Sequence, residues 1–222
     1  METRYTTNTN LTINNSGLFE DLQTNPRALS NEYLSLILKT MRRALNHQPR
    51  TFLVRCDLHL RQLNYPDSPI VYDSTVITKF FKSLNAKIQH DLNTKALKSK
   101  RVHPCTMRYV WARERAEADT DHYHVAIFLN NDTYNYLGNY MRQGQNLATK
   151  IVEAWASALG IDDYDVQNLV HFPVDTPVYY VNSNAKNYES SFAKAFFRLS
   201  YFAKLETKHY GDRRRSFGCS KV

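Results

Sequence analysis

The chain has 222 residues, of which 42% are hydrophobic, so it is long enough for one domain with a packed core. Its formal net charge of +8 favours polyanionic partners, because contacts to phosphates release condensed counterions. The sequence has no apolar run of ~18 residues and no apolar signal-peptide core, so we expect no membrane span, no secretion and a cytoplasmic location.

The first elements in chain order are an arm and a helix. Residues 1–25 are rich in Asn and Thr and lack hydrophobic periodicity, so we predict a flexible polar arm ahead of a single domain over 26–222. Ser30 or Asn31 can cap the first helix, because a side-chain oxygen there accepts a hydrogen bond from the first turn. The apolar stripe of this helix contains Leu34, Ile37, Leu38, Met41 and Leu45.

The segment 51–60 changes to a hydrophobic period of two, which predicts a strand. One face of this strand carries Phe52, Val54, Cys56, Leu58 and Leu60, and the other carries Leu53, Arg55, Asp57 and His59. The second face is rich in groups that can do chemistry. After the turn residues of 64–69, Asp73 or Ser74 can cap a long amphipathic helix.

The second half of the chain alternates between strands and helices. Strands are predicted at 105–114 and 122–129, joined by the polar loop 115–121. The next elements are a helix from about Asn146 to Leu159 ended by Gly160, short strands at 168–172 and 178–181, and a last helix over roughly 188–206. The order predicts an α+β fold with a central antiparallel sheet and flanking helices, in a split βαβ arrangement. This architecture serves unrelated functions, so it does not decide the activity.

A pair of histidines is the first sign of a metal site. His122 and His124 stand two apart in a predicted strand, so their side chains project from one face with backbones ~6–7 Å apart and could share a divalent metal. Surface or hydrogen-bonded histidines are the plainer reading of such a pair. Glu114 is a candidate third ligand, because pairing of the two strands across the loop brings it near His122. Asp57 is the rival ligand, on a strand expected to lie alongside.

Two histidines and one carboxylate do not name a reaction. They leave open coordination positions for substrate oxygens and water, as Lewis-acid catalysis requires. The same ligand set describes non-haem iron oxygenases. Further residues must therefore separate the two interpretations.

A tyrosine in a basic stripe favours phosphoryl transfer. On the last predicted helix, Tyr201 has Lys194 and Arg198 on the preceding turns and Lys204 and Lys208 on the following ones. Nearby positive charge can make a phenolic oxygen more nucleophilic. A half-buried tyrosine with solvated lysines is the plainer alternative. Together with a metal site and a basic chain, however, the stripe indicates covalent phosphoryl transfer, whereas an oxygenase leaves it unexplained. The residues expected to contact DNA are Arg198, Lys208, Arg213, Arg214 and Arg215.

Two motifs carry a family resemblance. His-Tyr-His at 122–124, followed by Tyr-Phe-Ala-Lys at 201–204, resembles the paired motifs of HUH endonucleases, in the order of rolling-circle replication initiators. Over residues 50–221 the blocks HYHVAIFLNND, RLSYFAKLETKHYGD and FGCSK resemble the YagK/YfjJ C-terminal domain family, the inovirus-type replication proteins. One departure is Tyr123, a bulky polar residue where an aliphatic one is commoner.

The resemblance implies a fold and a mechanism. It implies a ferredoxin/RRM-like HUH core in which His122, His124 and Glu114 bind Mg²⁺ or Mn²⁺. Tyr201 would attack the scissile phosphate to give a 5′-phosphotyrosine and a free 3′-OH, and Lys204 would help to hold the phosphate or the metal region. The implied partners are single-stranded DNA at a replication origin of a phage or mobile element and the replication machinery of a bacterial host.

Two alternatives remain open at the level of sequence. A transposase-like strand-transfer enzyme would use the same tyrosine chemistry on another DNA substrate. A non-catalytic nucleic-acid-binding regulator would keep the fold and the basic surface, but would have no need for both histidines, a carboxylate and Tyr201 together.

Overall fold

The computed structural model describes residues 3–60, 72–98, 101–115, 121–139, 144–162 and 166–221. The helices in these ranges are α1 (Asn31–His47), α2 (Val76–Leu97), α3 (Leu147–Leu159) and α4 (Tyr188–Ser200). The strands are β1 (Arg4–Tyr5), β2 (Asn8–Asn14), β3 (Leu18–Phe19), β4 (Leu22–Gln23), β5 (Leu29–Ser30), β6 (Arg50–His59), β7 (Arg108–Glu114), β8 (His122–Asn130), β9 (Val170–His171), β10 (Val178–Asn182) and β11 (Phe217–Cys219). The predicted turn at 64–69 and the centre of the 115–121 loop lie outside the described residues. No described helix combines the length and apolar character needed to cross a bilayer.

The main sheet is antiparallel throughout. Its order is β10-β6-β8-β7-β11, and β9 pairs with the same edge of β6 as β10. The long central strands β6 and β8 pair over their whole length, with Asp57 opposite His124. Strand β7 pairs with β8 on the other side and places Glu114 opposite His122. The predicted pairing of the strands around 105–114 and 122–129 is therefore confirmed.

Helices cover both faces of this sheet. On one face, Phe52, Val54 and Cys56 pack with α2 and α3. On the other face, Leu53 and Ala126 pack with α1 and α4. The sheet is thus the middle of three layers, and the predicted α+β class with an antiparallel sheet and flanking helices is confirmed. The finer split βαβ, ferredoxin/RRM-like arrangement stays a prediction.

The N-terminal segment differs from the predicted flexible arm. Strands β1, β2 and β5 form a small antiparallel sheet, and β3 and β4 form a two-stranded hairpin. The backbone NH of Thr12 donates to the Glu32 carboxylate at 3.0 Å, and the NH of Asn25 donates to Ser200 Oγ at 2.8 Å. Tertiary hydrogen bonds and the packing of Phe19 and Leu22 against the core hold this mostly polar segment, and neither produces a hydrophobic period in the sequence.

Helix ends follow the capping rules in some places and not in others. Ser30 and Asn146 cap α1 and α3 as predicted, and Gly160 ends α3 with a φ of 68°. The predicted cap of α2 is wrong, because the helix starts after Thr75 and Asp73 instead accepts the NH of Thr75. The last helix is shorter than predicted: α4 ends at Ser200 and a 3-10 turn follows over Tyr201–Ala203.

The cap of α3 gives a stability prediction. Asn146 Oδ1 accepts a hydrogen bond from the NH of Thr149 at 2.9 Å. This NH has no partner within the helix, so Asn146→Ala leaves it without one. We expect the free energy of unfolding in urea to fall by ~1 kcal/mol. Asn146→Asp keeps the acceptor oxygen and should lose less; an equal loss in both variants would contradict the capping role.

Candidate active site

A polar cluster lies on the sheet face that packs against α1 and α4. The side chains of Asp57, Glu114, His122 and His124 come from three adjacent strands, β6, β7 and β8. Strand alternation puts them on the same face as Ala112 and Ala126, while their neighbours pack on the opposite face. The antiparallel register therefore brings them to one end of the sheet.

Three of these residues could hold a metal ion. One ligand atom from each of Glu114, His122 and His124 lies within 4.8 Å of the others. His124 Nε2 is 3.2 Å from Glu114 Oε2, and only 1% of Glu114 and 8% of His124 are exposed. Two imidazole nitrogens and a carboxylate oxygen are a donor set that binds first-row divalent ions. The set, called the triad below, fits such an ion.

Asp57 takes a supporting position. Its Oδ1 lies 2.6 Å from His124 Nδ1, on the side of the ring away from Glu114. With Nδ1 donating to Asp57, His124 would present the lone pair of Nε2 to a metal ion once the Nε2 proton that faces Glu114 is lost. The structure thus brings Glu114 into the triad and makes Asp57, the rival in the sequence, the residue that orients His124.

The charges of His122 and Glu114 suit metal binding. Burial, and then the proximity of His124, lowers the pKa of His122 to about 4, so this ring is neutral at neutral pH. Burial alone would raise the pKa of Glu114, but the hydrogen bond from His124 and the charge of Lys208 outweigh it, and the pKa falls below its usual range. A neutral imidazole and an ionised carboxylate are the protonation states that ligate metals. Burial alone would lower the pKa of His124, but its hydrogen bonds to Asp57 and Glu114 outweigh it and raise the pKa, so metal binding would release a proton from this ring.

Tyr201 and two lysines adjoin the triad. Lys204 Nζ donates to Tyr201 Oη at 2.5 Å and lies 2.7 Å from Glu114 Oε2. Lys208 Nζ lies 2.9 Å from Glu114 Oε1. The Tyr201 ring meets the His124 ring edge to face, with centroids 5.8 Å apart. The nucleophile candidate, its lysine and the triad are therefore one connected group.

The predicted helical stripe does not bring Tyr201 and Lys204 to the triad. Because α4 ends at Ser200, Lys204 leaves the 3-10 turn with an extended ψ of 142°. Arg198 and Lys194 instead line a separate cavity of about 690 Å³ beside Tyr179. The cluster Arg213–Arg215 lies on the other face of the sheet, in a groove beside α2.

The sequence interpretation missed Arg55. Its side chain is buried on the same face of β6, with Nη2 3.7 Å from Asp57 Oδ1 and its guanidinium 5.7 Å from the Phe202 ring centroid. Its Nε and Nη1 have no hydrogen-bond partner among the described residues. In the sequence, Arg55 is marked only by its position on the polar face of the strand, and this position does not indicate a role.

The Asp57 hydrogen bond predicts a graded effect on metal affinity. Asp57→Ala removes the acceptor that orients His124, so we expect Mn²⁺ affinity to fall by ~10–100-fold in calorimetric titration. Asp57→Asn keeps an oxygen that can accept from Nδ1 and should lose less. Unchanged Mn²⁺ affinity in Asp57→Ala would show that His124 needs no orienting partner.

Comparisons with known proteins give a family. The sequence profile of the YagK/YfjJ C-terminal domain family matches residues 13–220. The chain is 34% identical to the uncharacterized protein YagK of Escherichia coli strain K12, over 86% of this chain and 93% of YagK. It is 33% identical to the uncharacterized protein YfjJ of the same strain, over 85% of this chain and 93% of YfjJ. No solved structure matches the chain significantly.

Proposed function

The chain belongs to the YagK/YfjJ C-terminal domain family, and we propose that it is a metal-dependent endonuclease that nicks single-stranded DNA through Tyr201. One observation carries the proposal: Lys204 contacts both the Tyr201 oxygen and Glu114 of the triad. We infer that the chain has an HUH-type core and that it nicks a replication origin. This nick would start rolling-circle replication of a phage or mobile element. The partners are then origin DNA and the replication machinery of the host.

Tyr201 would be the nucleophile. Its phenol loses a proton to solvent, and the oxygen forms a bond to phosphorus while the bond from phosphorus to the 3′ oxygen breaks. The 3′ oxygen takes a proton from solvent, which leaves a 5′-phosphotyrosine and a free 3′-OH. The Lys204 ammonium, 2.5 Å from the phenolic oxygen, stabilises the negative charge there. Because one phosphodiester replaces another, the reverse reaction can rejoin the strand.

The triad would assist at the phosphate. A divalent ion held by Glu114, His122 and His124 would withdraw electron density from a non-bridging phosphate oxygen. Within the chain, Asp57 orients His124, and Lys208 binds Glu114 Oε1 while Oε2 faces the histidine. Two nitrogen donors favour Mn²⁺ over Mg²⁺, which prefers oxygen ligands and retained water.

One observation favours the non-catalytic alternative. The Glu114 carboxylate already pairs with Lys204 and Lys208, so this buried charge is balanced without a metal ion. A nucleic-acid-binding regulator could keep such a network for stability alone. A transposase-like enzyme would share the Tyr201 chemistry and differ in its DNA substrate.

An adduct assay tests the proposal. The protein is incubated with labelled single-stranded DNA from its own replicon and Mn²⁺, then denatured and separated by electrophoresis. We expect a labelled, denaturation-resistant adduct that a chelator prevents. Equal amounts of adduct with and without chelator would contradict the metal requirement. Tight binding without any adduct would instead support the regulator.

A further inference from the structure

A single segment carries basic residues to both faces of the sheet. At its start, Lys204 and Lys208 contact Glu114 on the triad face. At its end, Arg213 and Arg215 line a groove on the opposite face, beside α2. The segment therefore wraps around the end of β7, where Arg113 and Glu114 are consecutive residues with side chains on opposite faces.

Arg113 fixes this segment in place. Its guanidinium is 2% exposed and binds Asp212 at 2.6 and 2.9 Å, as well as Asp121 at 2.9 Å. It also donates to the carbonyl oxygen of His209 at 3.3 Å, and its backbone NH donates to Ser216 O at 2.9 Å. These bonds from one buried residue hold the segment at His209, Asp212 and Ser216, so the backbone that carries Arg213 and Arg215 is held in place.

The groove itself is basic over an aromatic floor. It has a volume of about 890 Å³ and lies between α2 and strands β7 and β11. Its cationic lining residues are Lys82, Arg113, Arg213, Arg214, Arg215 and Lys221, and its described lining contains no carboxylate. Phe81 and Tyr109 stack on each other in the floor, with ring centroids 3.5 Å apart and planes at 7°. Phe81 is buried and Tyr109 is half-buried, so Tyr109 is the ring of this pair that a ligand can reach.

The cations of the rim are available to a ligand. Lys82, Arg213 and Arg215 are exposed, and within the described part of the chain no ion pair engages them. Arg214 differs, since it lies 3.5 Å from Asp121. A groove that combines exposed cations with an accessible aromatic ring is the arrangement that binds single-stranded nucleic acid, with phosphates on the cations and a base toward the ring.

We propose that this groove binds the single-stranded DNA segment that adjoins the cleaved phosphate, with Lys82, Arg213 and Arg215 on its phosphates. The strand would pass from Tyr201 around the end of β7 along the wrapped segment. The identity of the nucleic acid rests on the proposed function, but binding in the groove requires neither the metal nor the nucleophile. The groove residues hold DNA, and chemistry takes place on the other face.

A binding assay tests the groove without cleavage. Fluorescence anisotropy with labelled oligothymidine is measured in chelator, using full-length protein that carries Tyr201→Phe. Adding Arg213→Ala and Arg215→Ala should weaken binding and reduce the slope of log affinity against log salt by roughly 0.7 for each phosphate that no longer has a bound cation. The matched control carries Lys39→Ala and Arg43→Ala, which remove two exposed charges from α1, outside the groove. This control should keep the slope.

Two results would overturn the inference. Equal loss of slope in both double variants would show diffuse attraction to net charge rather than a groove. Equal displacement of the strand by single-stranded and by duplex competitor would show that the surface does not select single strands. Either result leaves the adduct assay unaffected, so failure of the groove and failure of the nuclease proposal are distinguishable.

Discussion

Replacing Tyr201 with phenylalanine is expected to abolish the covalent protein–DNA adduct. The substitution removes the one oxygen that contacts Lys204 at 2.5 Å beside the triad, and it keeps the ring that meets His124. Loss of a covalent nucleophile reduces turnover by roughly 10⁴-fold or more, so no adduct should be visible on the time scale of the wild-type reaction. The measurement is the rate of formation of labelled, denaturation-resistant protein.

Tyr180→Phe is the matched control for this variant. Tyr180 lies on β10 and is 53% exposed, and its hydroxyl donates to the carbonyl oxygen of Asn135 rather than to a group of the site. This variant should form adduct at the wild-type rate. If Tyr201→Phe still forms adduct, the nucleophile is another residue, and Tyr179, Tyr188 and Tyr210 are the next to test.

Loss of either histidine is expected to remove metal binding. His122→Ala and His124→Ala each delete one of three ligands, so Mn²⁺ affinity should fall by more than the ~10–100-fold caused by losing an outer hydrogen-bond partner. Cleavage should be lost with it, while single-stranded DNA binding is largely kept, because the groove lies on the other face. Calorimetric Mn²⁺ titration and anisotropy measure the two properties separately.

The two variants should differ in stability. His124 is buried between Asp57 and Glu114, so His124→Ala leaves both carboxylates without this partner and should cost ~1–3 kcal/mol. His122 is only half-buried, and its loss should cost less. His171→Ala, an exposed residue on the neighbouring strand β9, is the control for Mn²⁺ titration. Wild-type Mn²⁺ affinity in both triad variants would remove the metal site.

Local patterns were enough to predict much of the site. Strand alternation and a short connection between strands sufficed to predict that Glu114 lies opposite His122, since register in paired strands follows from the turn and the pleat. The separate roles of Glu114 and Asp57 could not be predicted. Both side chains lie beside His124, and they differ in the ring nitrogen that each one faces: Nδ1 faces Asp57 and Nε2 faces Glu114.

Tertiary features account for the errors. The helical spacing predicted that Arg198 and Lys208 share a face with Tyr201. Because α4 ends at Ser200, Lys208 contacts Glu114 whereas Arg198 lines a separate cavity. The position of Arg213 on the opposite sheet face depends on the ion pair between Arg113 and Asp212, which are far apart in sequence. Periodicity within one element contains no information about such a contact.

The most direct test of the proposed mechanism is the identity of the residue that carries DNA. After reaction with single-stranded origin DNA and Mn²⁺, nuclease trimming and trypsin digestion, mass spectrometry can locate the residual nucleotide. Trypsin cuts after Arg198 and Lys204 and gives a peptide over residues 199–204, in which Tyr201 is the only tyrosine. We predict a nucleotide 5′-phosphate on this peptide, attached to Tyr201. A nucleotide on any other residue, or unmodified peptide alongside cleaved DNA, would contradict the mechanism.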